Sequence, residues 1–299
     1  MRVDPNYVSG LVASLNSSTL AEQKLTSELS SGLAVSSLSD NPVAAGQASM
    51  LNSAISQDDT FVQTAASVES LMQVADSALG SVVSQLTSAL SLAVEGNSGT
   101  ESGSDLTGLS QQLGSIRDQV VALANTSYQG TYIFAGSDGN VQPFAVDTST
   151  TPATTTYSGD TQVGAVTTEN GQQIQTGLAG SAVFLAPGAD VMAALNNLVA
   201  DFAGGTVSGT ASTDIGVLQT ALSNVSQQRL SLDSSLSRIQ TASSYAQTDA
   251  VNRTATVSAL VSADPATVAT QLSSAETQNQ ALMSVIATVE KQSLFDMIQ

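Results

Sequence analysis

The sequence predicts a mainly α chain with a β-rich insert (α+β). The expected shape is an elongated antiparallel helical rod or coiled coil, with the N- and C-termini paired at one end and a small β domain at the other. Three observations lead there. Apolar residues recur at spacings of three and four through both flanks of the chain, which is helical periodicity. Between residues 129 and 186 the pattern changes to alternating Thr, Gly and Val with turn dipeptides, which reads as short strands. The order of the parts is also close to palindromic. A long helix with one apolar stripe needs a partner along its length, and a chain that runs out and back supplies it.

Taken in order, residues 1–40 carry apolar positions at Val8, Leu11, Leu15, Leu25 and Leu29, with polar gaps at Ser18 and Glu22. "SDNP" follows. Asp40 or Asn41 is placed to cap a helix whose first position is Pro42. Residues 41–129 hold the long helices of the rod. Val68, Met72, Ala75, Leu79, Val82, Leu86 and Ala89 keep one rhythm, so a helix from Pro42 to Val94 would run about 80 Å. After a Gly/Ser loop, Asp105 is the expected cap of a third helix carrying Leu106, Leu109, Leu113, Ile116, Val120 and Leu123, whose pattern stops at Tyr128.

Residues 130–187 form the β-rich outer insert, with "SDGN", "SGD" and "ENGQ" as turns. In residues 188–261 the chain returns. A short helix capped by Asp190 precedes a long regular run through Ile215, Leu218, Leu222, Val225, Leu232, Leu236 and Ile239. "SADPAT" restarts the pattern, with Asp264 as cap and Pro265 at the first position. Residues 262–299 then place Val268, Leu272, Ala275, Leu282, Ile286 and Val289 on one stripe, and Asn279 is its one polar member.

Of the 5 Tyr and 6 Phe, seven fall at Tyr128, Tyr132, Phe134, Phe144, Tyr157, Phe184 and Phe202. An aromatic core suits an insert too small for a leucine-rich one. Tyr132 and Phe134, two apart, are expected on one face of a strand, with Gly130 and Gly136 supplying turns.

Composition narrows function. With 7 basic against 25 acidic residues, net charge -18, no nucleic-acid or anionic-membrane partner is expected. No stretch approaches the roughly 18 apolar residues of a membrane span, and no signal-peptide apolar region is present; the expectation is a cytosolic chain or one exported without a cleaved signal. There is no Cys and no His, so disulfides, thiolate metal sites and the commonest general base are missing. No catalytic, cofactor or metal residue is assigned. Asp138 in "SDGN" reads as a turn rather than a calcium loop, and Asp58-Asp59 as a solvated face. The exposed helix faces carry Ser, Thr, Gln and Asn rather than Lys and Glu, which suggests packing against copies of the same chain, because burying amides and hydroxyls costs less than burying charge.

Both ends resemble the bacterial flagellin family. "LTSELSSGLAVSSLSDNPVAAGQA" (Leu25–Ala48) is similar to the family's N-terminal element, and "ADPATVATQLSSAETQNQALMSVIATVEKQSLFDMI" to its terminal helix. "ANTSYQGTYIFAG" followed by "PF" is similar to an element of the family members that sit at the hook–filament junction. It marks Asn125, Gly130, Tyr132, Phe134, Gly136, Pro143 and Phe144 as the domain junction. The end departs from the Leu-Leu-Gly/Arg usual in flagellins, and the start is less aromatic than in junction members, though Tyr7 is in place.

The resemblance implies a self-assembling structural component of the flagellum, not an enzyme. It would form a ring that adapts the hook to the filament, exported unfolded by the flagellar type III route and folded on assembly. Implied partners are copies of itself, the other junction protein, flagellin, the export apparatus and a chaperone on the C-terminal helix; the implied location is extracellular. The expected assembly interface is Leu11, Leu15, Leu25, Leu29 and Leu33 with Leu272, Leu282, Ile286, Val289 and Phe295, pairing between molecules. The filament subunit itself, and more remotely a surface coiled-coil adhesin, are the alternatives.

Overall fold

A computed structural model describes the backbone of residues 5–298 and the side chains of residues 9–289. The chain is mainly helical with a β-rich insert. α1 (Pro5–Ser31), α2 (Pro42–Gly96) and α3 (Gly103–Ala124) precede four two-stranded antiparallel hairpins: β1 (Ser127–Tyr128) with β2 (Thr131–Tyr132), β3 (Phe144–Asp147) with β4 (Thr154–Tyr157), β5 (Ala165–Thr167) with β6 (Gln173–Gln175), and β7 (Leu185–Ala186) with β8 (Ala189–Asp190). α4 (Gly180–Phe184) interrupts the hairpins, and α5 (Val191–Ala203), α6 (Ala211–Val261) and α7 (Pro265–Ile298) follow.

The helix starts obey their local chemistry. Asn41, not Asp40, caps α2, its Oδ1 accepting from the Ala44 N–H at 3.1 Å. Asp190 caps α5 at Ala193 N–H (2.8 Å), and Asp264 accepts from the Ala266 N–H (3.0 Å) ahead of Pro265. α3 differs from expectation. Ser102 is its cap and Asp105 its third residue, the two side chains closing a capping box.

By contacts the chain falls into two compact units, Met1–Gln57 with Thr248–Gln299, and Asp58–Gln247. The divisions lie inside α2 and α6, not at the punctuation before Pro42 and Pro265, because neither helix breaks where its packing partners change.

In the larger unit α2, α3, α5 and α6 share one core that includes Met72, Leu79, Leu86, Leu113, Val120, Leu195, Leu198, Leu218, Val225 and Ile239. Arg229 on α6 grips Asp76 on α2 with both nitrogens (2.5 and 3.1 Å), and a Cβ at Gly80 would crowd that guanidinium at 3.3 Å. Asp58, expected on a solvated face beside exposed Asp59, is fully buried. Its spacing to Ala65 and Met72 explains this: Asp58 lies one heptad before Ala65 on the buried stripe of α2. α2 also contains an 18-residue window with mean hydropathy 1.4, apolar enough by composition to cross a membrane, contrary to the sequence reading. Its apolar stripe is instead spent on the helical core.

Candidate functional site

The first part of the site lies in the smaller unit, where α1 packs along α7. Leu11, Leu15, Ser18, Glu22 and Leu25 are half-buried on α1; on α7 Val268 and Ala275 are buried, while Leu272, Asn279, Leu282, Ile286 and Val289 are half-buried. Two of the three polar interruptions meet: Asn279 Nδ2 donates to the Glu22 carboxylate, and Asn279 Oδ1 stays buried without a partner. The stripes expected to pair between molecules therefore face each other within one chain here. Leu29, in the last turn of α1, and Leu33, past its end, are exposed, and the Phe295 side chain lies outside the described residues. A second apolar set is left outward: Val12, Leu20, Met283 and Val285, with Leu20 65% and Met283 60% exposed.

The "LSSGL" and "SADP" segments are stitched together beside this pair. Gly32 ends α1 in the left-handed region (φ 72°), its N–H donating to the Glu28 carbonyl at 2.8 Å. The Gly32 carbonyl accepts from Ala263 N–H (2.9 Å), and Ala34 N–H donates to Val261 (2.8 Å), so Leu33 bridges Ser262 in antiparallel fashion. Asp40 gathers the loop between α1 and α2. Its carboxylate accepts the Ser37 hydroxyl (3.0 Å) and the Ser36 and Ser37 N–H groups (3.2 and 2.9 Å), with Lys24 at 3.3 Å. These donors, the Ser37 hydroxyl foremost, hold its carboxyl well below the usual range.

The second part is the junction between α3 and the insert. Asn125, at the C-cap of α3, clamps the backbone of Phe144 from both sides: Oδ1 accepts its N–H at 2.9 Å and Nδ2 donates to its carbonyl at 2.8 Å. Gly130 (φ 83°) and Gln129 (φ 52°) make the two-residue turn between β1 and β2. Pro143 is buried and its carbonyl accepts Ser158 N–H at 2.9 Å. Tyr132 and Phe134 do not share a strand face. β2 ends at Tyr132, which is half-buried, whereas Phe134 lies beyond it and is fully buried.

The Phe134 carbonyl is the reason: it accepts the Gly180 N–H (2.9 Å) and the Tyr157 hydroxyl (3.0 Å), drawing the chain out of the strand. Phe134, Phe144, Phe184 and Tyr157 then form an aromatic cluster, with ring centroids 5.0–5.5 Å apart and two of its three pairs edge-to-face. Burial pushes the Tyr157 phenol up. Gly136 (φ 79°) lets Asp160 close the turn by accepting the Ser137 (2.8 Å) and Gln162 (2.9 Å) N–H groups. A Cβ at Gly136 would lie 2.1 Å from Asp160 Oδ1, and one at Gly180 2.5 Å from the Phe134 carbonyl.

The junction motif residues thus come together as a packing knot, and they form no catalytic constellation. The sequence reading missed Asp160 and Gly180 as members. "YSGD" placed Asp160 in a turn, but its partner Ser137 lies 23 residues earlier and only folding brings it near.

Residues 8–138 match the bacterial flagellin N-terminal helical region, so over that stretch the chain is similar to bacterial flagellins. The sequence is also similar to flagellar hook-associated protein 3 of Salmonella typhimurium (34% identical over 122 residues, 40% of this chain and 38% of that protein). The same protein of Escherichia coli is 32% identical over 123 residues, 41% and 39% of the two chains. The matched segment thus spans about two fifths of these relatives.

In fold, a flagellar hook-associated protein of Vibrio parahaemolyticus superposes with TM-score 0.62 at 19% identity, covering 74% of this chain and 99% of the other. FlgL of Bacillus cereus does so with TM-score 0.58 at 20% identity, covering 70% and 99%.

Proposed function

We propose that this chain is a structural, non-catalytic subunit of the bacterial flagellum that assembles with copies of itself as a ring at the hook–filament junction, bounded by the other junction protein and flagellin. The observation that carries the reading is the α1–α7 pair. Its inner stripes satisfy each other while Val12, Leu20, Met283 and Val285 remain exposed on the same helices. Exposed apolar side chains along a helix pair suit a contact with a neighbouring subunit.

The hydroxyl-rich faces favour such contacts too. Ser53, Ser77, Ser81, Ser84, Thr87 and Ser88 on α2 donate to carbonyls four residues back, so their hydroxyl protons are already satisfied and add little desolvation cost to packing. Export in unfolded form by the flagellar route, with a chaperone on the C-terminal helix, belongs to the same reading, which places the protein outside the cell. It is supported by the similarity to hook-associated protein 3.

Deletion of the gene tests it. Intact hooks are expected, lacking filaments, with flagellin released into the medium. Filaments of normal length would overturn the proposal, and hooks without any secreted filament protein would mark the chain as the filament subunit instead.

A further inference from the structure

The charged side chains of the larger unit leave one cation unspent. Among the described residues Lys24 pairs with Glu28 and Asp40, Arg117 with Asp118, Arg229 with Asp76, and Arg253 with Asp249. Arg238 alone makes no ion pair among them, although Glu169 lines a cleft with it, in a chain with 25 acidic and 7 basic residues. It stands on α6 beneath the β5–β6 hairpin, in the walls of two clefts. One, of about 330 Å³, is lined by Phe61, Thr168, Glu169, Thr241 and Tyr245, with no ion pair between Glu169 and Arg238; the other, of about 690 Å³, by Gln173, Gln175, Ser231 and Ser234. Leu230 and Tyr245 lie about two turns to either side of Arg238 on α6, and they are 67% and 57% exposed.

We propose that this face of α6, centred on Arg238, is a contact between copies of this chain, with Arg238 receiving a carboxylate of the neighbouring molecule. Charge complementarity selects the occupant. One cation cannot hold a polyphosphate backbone, which needs several, whereas an acid-rich copy offers exposed carboxylates such as Asp59, Glu95 and Asp138. A free small anion would leave Leu230 and Tyr245 in water; a protein surface covers them, and Tyr and Arg are the residue types that anchor protein interfaces.

The inference rests on the self-assembly proposed above. The test is sedimentation velocity of the full-length protein and of Arg238→Glu at low and high salt. The parent is expected to associate, more weakly as salt rises, and Arg238→Glu to associate at least about tenfold more weakly. Its melting curve should match the parent, because Arg238 makes no ion pair within the chain among the described residues. A parent that stays monomeric under every assembling condition overturns self-assembly itself. A parent that associates with Arg238→Glu its equal overturns only this contact. Loss of co-sedimentation with flagellin, with self-association intact, would replace the second copy by flagellin and also overturn it.

Discussion

Single atoms decide much at the junction. Gly136 is needed twice over, for a left-handed backbone and for the space taken by Asp160. Gly136→Ala should lower stability by about 2–4 kcal/mol in denaturant unfolding. Gly171, also left-handed (φ 76°) but with nothing within 4 Å of a Cβ, should cost only about 1 kcal/mol as Ala. Equal losses would show that the Asp160 contact is irrelevant.

Asp40 gives a pH prediction. Its folded carboxyl is depressed, so its contribution is fully present above the unfolded value of about 4 and is lost as pH falls through the lower folded value. Protection of the Ser36 and Ser37 amides against hydrogen exchange should therefore persist through pH 4 in the parent and be lost at all pH values in Asp40→Ala. Parent amides that lose protection above pH 4 would contradict it.

Between elements, the Glu22–Asn279 contact is the informative one. A polar pair in an apolar seam costs stability but penalises other registers, since sliding α1 along α7 would bury each group against leucine. Replacing both by Leu should make the pair more stable by about 1–2 kcal/mol while allowing several registers, read as higher melting with broadened amide resonances. Asn279→Leu alone should destabilise, because Glu22 then loses its donor. A double variant that is both more stable and singly registered would show that the pair sets nothing. The long helices themselves were legible from the 3/4 rhythm, and Pro42, Pro265, Asp190 and Asp264 announced their starts. Ser102 was not preferred over Asp105 because both residue types cap helices and only geometry separates first from third position.

For the whole molecule, the folding on assembly that the flagellin resemblance implies makes a prediction about the isolated subunit. Limited proteolysis should trim residues before about 40 and after about 262 first, leaving a resistant fragment. The α1–α7 pair buries few residues fully, Val268 and Ala275 among the described α7 positions, whereas the larger unit has a continuous core. A monomer resistant at both ends would count against folding on assembly.

By itself the sequence determined the class of fold, the order of helices and insert, and the three polar interruptions in the terminal stripes. These are local consequences of periodicity, capping and composition. Tertiary structure alone decided that Glu22 and Asn279 meet, that Asp58 is buried while Asp59 is not, that Phe134 leaves its strand, and that Arg238 makes no ion pair among the described residues. Each depends on atoms brought together from distant parts of the chain, for which no spacing rule exists.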